Sequence, residues 1–145
     1  MDPDERHILV VEDNQANAAL LAAYLGRAGY RVETADSGEA ALAHLAESSI
    51  DLLIVDGRMP GMDGYQLLRT IRDGAATPPV IMLTAFDDAG DRERAVNLGV
   101  DDFLTKPVSK LLLLQRVEAL LEVAALPGGL ERTLAYCAAL ERRTH

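Results

Sequence analysis

Five short apolar runs, residues 7–11, 30–35, 51–55, 80–84 and 103–105, are bounded by acidic residues or glycine and recur along the whole first three quarters of the chain. They read as β-strands. The stretches between them carry apolar residues at helical spacing instead. Ala18, Leu21, Leu25 and Ala28 form one stripe that Gly29 ends, and Ser37 caps a second helix whose stripe includes Ala41 and Leu45. A third helix starts near Gly64, carries Leu67, Leu68 and Ile71, and stops at Gly74 and Pro78-Pro79; a fourth spans about 88–98. The fifth, about 109–125, places Leu113, Leu114, Val117, Leu120, Leu121 and Ala124 on one side. Strict alternation of five strands with five helices requires right-handed crossovers, so the fold class is α/β, a doubly wound five-stranded parallel sheet with both faces covered.

At 145 residues the chain holds one domain of this kind and little more. Fourteen basic against twenty-three acidic residues give a net charge of −9, which disfavours nucleic acid and anionic membranes as partners. Apolar runs fall short of a membrane span, the N-terminus lacks a signal segment, and the single cysteine, Cys137, cannot form an internal disulfide, so a cytoplasmic protein is expected. The three histidines, His7, His44 and His145, show no metal-ligand spacing. No P-loop, H-E-x-x-H or G-x-S-x-G motif is present.

In a doubly wound sheet, functional groups gather beyond the carboxyl ends of the strands. Glu12 and Asp13 follow the first strand, Asp56 the third, Thr84 ends the fourth, and the fifth leads into Lys106-Pro107. Each has an ordinary explanation by itself: Asp13 as a helix cap, Thr84 as a strand residue, Lys106 as a solvated cation. Together they crowd one rim. Carboxylates a few ångströms apart repel by about 4 kcal/mol per close pair at an effective dielectric near 20. A hard divalent cation relieves this, and few carboxylates with room for water favour Mg²⁺. An aspartate beside Mg²⁺ can act as a nucleophile toward a phosphoryl donor, with Lys106 and the Thr84 hydroxyl taking the transferred oxygens.

The motifs Val10-Val11-Glu12-Asp13-Asn14, Asp56-Gly57-Arg58-Met59-Pro60-Gly61-Met62-Asp63-Gly64, Leu83-Thr84-Ala85 and Phe103-Leu104-Thr105-Lys106-Pro107, with the intervals between them, resemble those of response-regulator receiver domains. The resemblance covers about 6–125, leaving 126–145 as a linker and an extra C-terminal helix. It implies a flavodoxin-like sheet in the order 2-1-3-4-5, with Asp56 as phosphoacceptor. Mg²⁺ is then held by Asp13, Asp56 and the backbone carbonyl of Arg58, with Glu12 acting through water. Thr84 and Phe103 become the switch residues, and the Lys106–Pro107 bond is expected to be cis. The implied donor is a histidine kinase or histidine phosphotransfer protein, and the output is a changed surface on the fourth helix, fifth strand and fifth helix. The protein is then a phosphoacceptor switch with self-catalysed phosphorylation and dephosphorylation only, and not an enzyme in the ordinary sense.

Two departures stand out. Gly57 replaces the usual apolar residue after the phosphoacceptor and is expected to loosen the loop. Arg58 brings a cation to the mouth of the site and, with Phe86 two residues beyond Thr84, should shield the phosphoryl group from water. A phosphohydrolase of the haloacid dehalogenase type is the rival enzyme, but it wants an aspartate where Arg58 stands. The back of the fifth helix, Leu112, Ala119 and Val123, is expected to form a partner surface for a second copy or for the tail helix. Leu130, Leu134, Cys137 and Leu140 follow helical spacing, which makes Cys137 an apolar packing residue. The tail also resembles receivers that precede cyclic-di-GMP enzymes.

Overall fold

The computed structural model describes residues 5–72, 78–85, 89–126 and 130–144. Strands β1 (His7–Val11), β2 (Arg31–Ala35), β3 (Leu52–Asp56), β4 (Val80–Thr84) and β5 (Asp102–Thr105) alternate with α1 (Gln15–Arg27), α2 (Gly38–Glu47), α3 (Gly64–Arg72), α4 (Ala89–Asn97) and α5 (Lys110–Glu122), and α6 (Leu130–Thr144) follows. All pairings are parallel and the order is β2-β1-β3-β4-β5. This is the doubly wound fold read from the sequence. Strands β1, β3 and β4 are buried along their whole length, as expected of a sheet covered on both faces.

The alternation of side chains sorts the core into two layers. Ile8, Val10, Leu52, Ile54, Ile81 and Leu83 pack with Leu21 and Leu25 of α1 and Leu113, Val117 and Leu120 of α5. Leu9, Val11, Leu53, Val55, Val80 and Met82 pack on the other face with Ala41 of α2 and Leu67 and Leu68 of α3. Ser37 caps α2 by accepting from the Ala40 N–H at 3.1 Å, and Ser109 caps α5 in the same way through Leu112. Ala28 departs from its expected place in the α1 stripe: it is the exposed C-cap, and Gly29 (φ 101°) supplies the left-handed turn that stops the helix.

Helix α6 belongs to the same core. Tyr136 and Ala139 join Ala119, Val123 and Leu120 in one cluster. The buried Arg132 guanidinium grips Asp101 with two bonds, Nε to Oδ1 at 2.7 Å and Nη2 to Oδ2 at 3.0 Å. Asp101 Oδ2 also accepts the Val80 N–H at 2.9 Å, which ties the helix to the start of β4. The Tyr136 hydroxyl donates to Asp102 Oδ2, where Arg116 Nη1 also donates at 2.6 Å. Burial and the adjacent Asp102 carboxylate push the Tyr136 phenol far above its usual range.

One expectation is met and one fails here. Of the two occupants expected for the back of α5, the tail helix takes it: α6 packs over Ala119 and Val123, and of the expected trio only Leu112 is exposed. Cys137 is exposed with Leu130 and Leu134, and of the expected tail stripe Leu140 alone packs against the core. The inward face is Arg132, Tyr136 and Ala139, two residues out of register and hence about 200° around the helix.

Candidate functional site

The chain leaves β1 toward β2 on one side and β3 on the other, so the carboxyl ends of β1 and β3 flank the switch point of the sheet. Asp56 is the last residue of β3, and Glu12 and Asp13 directly follow β1. Carboxylate oxygens of Glu12, Asp13 and Asp56 all lie within 4.8 Å of one another. Asp13 is exposed and is not the helix cap: Asn14 takes that role, accepting the Asn17 N–H at 3.0 Å. Its carboxylate is therefore available to the site.

The fifth strand delivers the cation. Lys106 Nζ lies 2.8 Å from Asp56 Oδ2 and 3.9 Å from Glu12 Oε2, and the Lys106–Pro107 peptide is cis. Asp56 Oδ1 accepts the Arg58 N–H at 3.1 Å. Glu12 accepts from Asn17 Nδ2 at 3.2 Å through Oε1, whereas its buried Oε2 has no hydrogen bond. The pKa of Glu12 is pushed up from 4.5 to about 7, first by burial, then by the neighbouring Asp56 carboxylate, against the opposing pull of Asn17 and Lys106. Thr84 is 3% exposed, and its Oγ1 has no hydrogen bond either. Two buried oxygens without partners beside a carboxylate cluster suit a site that completes itself with a divalent cation and a phosphoryl group. The donor set, oxygen throughout, fits Mg²⁺.

Phe103 is half-buried on β5 against the Met82 layer. Arg58 is exposed, and Phe86 lies outside the described residues. Gly57 has a role that the sequence did not reveal. A Cβ there would meet the Tyr65 side chain, Oη at 2.8 Å and Cζ at 3.0 Å, so the missing side chain gives space to a fully buried tyrosine. Gly64 is tighter still: a Cβ would stand 2.3 Å from the Asp56 carbonyl oxygen. Helix α3 can begin against the Asp56 backbone only with glycine there.

Residues 8–118 match the response regulator receiver domain family. The chain belongs to that family. Over 115 residues this receiver is 44% identical to response regulator PleD of Caulobacter vibrioides, an alignment covering 78% of this chain and 25% of PleD. It is similar in structure to the receiver domain of a signal transduction histidine kinase from Syntrophus aciditrophicus, with TM-score 0.78, 36% identity and coverage of 86% and 96% of the two chains. It is also similar to a chain of the Saccharomyces cerevisiae co-crystal of the phosphotransfer protein Ypd1 with the receiver domain of Ssk1, with TM-score 0.77, 27% identity and coverage of 84% and 92%. The chain thus spans a quarter of its PleD relative and nearly all of the isolated receivers. It is a receiver domain of two-component signalling, and among the described residues no helix is long and apolar enough to cross a membrane.

Proposed function

We propose that this receiver accepts a phosphoryl group on Asp56 from the phosphohistidine of a histidine kinase or histidine phosphotransfer protein, and that the modified form controls an output. The carrying observation is the meeting of Glu12, Asp13 and Asp56 within 4.8 Å, with Lys106 Nζ 2.8 Å from the Asp56 carboxylate. An Asp56 oxygen forms the new O–P bond as the P–N bond to the donor imidazole breaks, and the imidazole takes up a proton. Lys106 and the Thr84 hydroxyl then bind oxygens of the transferred group. Asp13, Asp56 and the Arg58 carbonyl would hold Mg²⁺ directly and Glu12 through water. When bound, the ion neutralises charge shared by carboxylate and phosphoryl group.

The half-buried Phe103, one strand residue from Leu104 and three from Lys106, is the switch partner of Thr84 in this reading. Dephosphorylation by water regenerates Asp56 and inorganic phosphate, so both reactions are catalysed by the domain's own residues. The reading carries a cytoplasmic location with it. A small phosphodonor such as acetyl phosphate provides the test. Intact mass should show one added phosphoryl group in wild type with Mg²⁺, and none with chelator or in Asp56→Ala. An unmodified wild type, or a modified Asp56→Ala, overturns the proposal.

A further inference from the structure

Glu12 is held at both ends. Its backbone N–H donates to the Ala35 carbonyl at 2.9 Å, which extends the pairing of β1 with β2 by one residue. Its carboxylate is tied to α1: Asn17 Nδ2 donates to Oε1 at 3.2 Å, the one hydrogen bond to the Glu12 side chain among the described residues. The other oxygen, Oε2, is buried without a hydrogen bond and lies 3.9 Å from Lys106 Nζ, the group that also contacts Asp56. Asn17 thus occupies one oxygen and leaves the second for the cluster.

The start of α1 sets Asn17 in turn. The Asn17 N–H donates to Asn14 Oδ1 at 3.0 Å and the Ala18 N–H to the Asn14 carbonyl at 2.9 Å, so the first turn of the helix is fixed to the residue directly after Asp13. A glutamate side chain turns about three bonds, and with the backbone pinned to β2 the anchor on its carboxylate decides where they point. A buried carboxylate that loses its donor is driven to find another. Water offers one in the recess of about 410 Å³ that Glu12 and Asn17 border together with Lys106 and Pro107. Without Asn17 the carboxylate would turn into that recess.

We infer that Asn17 is a positioning residue for the Mg²⁺ site: it lies outside the ligand set and acts by holding the Glu12 carboxylate with Oε2 toward Lys106, ready for the water through which Glu12 would serve the ion. The inference rests on the reading of Asp56 as a phosphoacceptor with Mg²⁺ beside it. Groups that orient a metal's ligands contribute about 10–100-fold to its affinity. Glu12 acts through water, so the share of Asn17 falls below that range, at roughly threefold to tenfold. Nothing in the linear sequence marks Asn17, because a five-residue interval from Glu12 matches neither a helical nor a strand period. The turn from β1 into α1 makes the contact.

The test is a Mg²⁺ titration of the full unphosphorylated chain, followed by backbone amide NMR shifts. Asn17→Ala should weaken Mg²⁺ binding by roughly threefold to tenfold. Alanine keeps the N–H that Asn14 caps and is the better helix former, and far-UV circular dichroism checks that the variant stays folded. In a Glu12→Ala background, Asn17→Ala should weaken binding no further, because the residue it acts through is gone, whereas a merely structural effect on α1 would persist. Wild-type affinity in Asn17→Ala, or the same loss with and without the Glu12 carboxylate, overturns the inference. A wild type that takes up neither Mg²⁺ nor, by intact mass, a phosphoryl group overturns the reading of Asp56 and the inference with it. A wild type that takes up both, while Asn17→Ala binds the ion unchanged, overturns the inference alone.

Discussion

Arg132→Ala tests whether α6 is part of the domain core. Arg132 and Asp101 side chains are 6% and 9% exposed, and the substitution removes both bonds of a bidentate pair. Asp101 would keep only the Val80 N–H among the partners described above, leaving a buried carboxylate without its counter-charge. Removing one member of a buried pair costs about 3–5 kcal/mol, much of it from the charge left behind. With a urea m-value of about 1–3 kcal/mol/M, the unfolding midpoint should fall by roughly 1 M or more. Asp101→Asn in the Arg132→Ala background should recover part of the loss, since the stranded charge is gone, and the double-mutant cycle should give a coupling above about 1 kcal/mol. Phosphorylation should persist, because neither residue belongs to the Glu12, Asp13 and Asp56 cluster. An unchanged midpoint, with amide protection lost only within 130–144, would show that α6 is an appendage and refute the reasoning.

Three further outcomes follow from the site. Asp56→Asn should hold or raise stability in metal-free buffer, because it relieves repulsion among the clustered carboxylates while an amide oxygen can still accept the Arg58 N–H; a fall of more than about 1 kcal/mol by urea titration would contradict this. Glu12 binds its proton more tightly folded than unfolded, so its stabilising contribution is full below pH 4.5 and lost as pH rises toward about 7. Urea titrations in chelator at the two ends of that window should therefore show wild type losing stability relative to Glu12→Gln as pH rises, and parallel behaviour would count against the assignment. Gly64→Ala forces a Cβ against the Asp56 carbonyl and should cost about 1–3 kcal/mol while slowing phosphorylation; a variant with wild-type stability and rate would show that α3 can shift freely.

The sheet was legible because its strands are short apolar runs at regular intervals, and the rim because Glu12, Asp13, Asp56, Thr84 and Lys106 each sit at or just beyond a strand's carboxyl end. The face of α6 was not. Apolar periodicity pointed to Leu130, Leu134 and Cys137, whereas the helix is oriented by Arg132 on Asp101 and Tyr136 on Asp102, polar partners about thirty residues away in sequence. A buried arginine is invisible to a pattern that counts apolar residues. Ala119 and Val123 were legible as a helix-packing face, and of the two occupants expected for it the tail helix is the one that packs there. The contact of Gly57 with Tyr65 was not legible, because Tyr65 reaches it only in three dimensions.

The central claim, that Asp56 is the phosphoacceptor, is tested most directly by chemical trapping. An aspartyl phosphate is an acyl phosphate, and borohydride reduces it to the alcohol, leaving homoserine where the aspartate stood. Wild-type protein treated with acetyl phosphate and Mg²⁺, reduced and digested, should carry homoserine at position 56 alone, with Asp13 and Glu12 unchanged in the peptide that contains them. Reduction product at any other carboxylate, or none anywhere under conditions that phosphorylate a control receiver, would contradict the account.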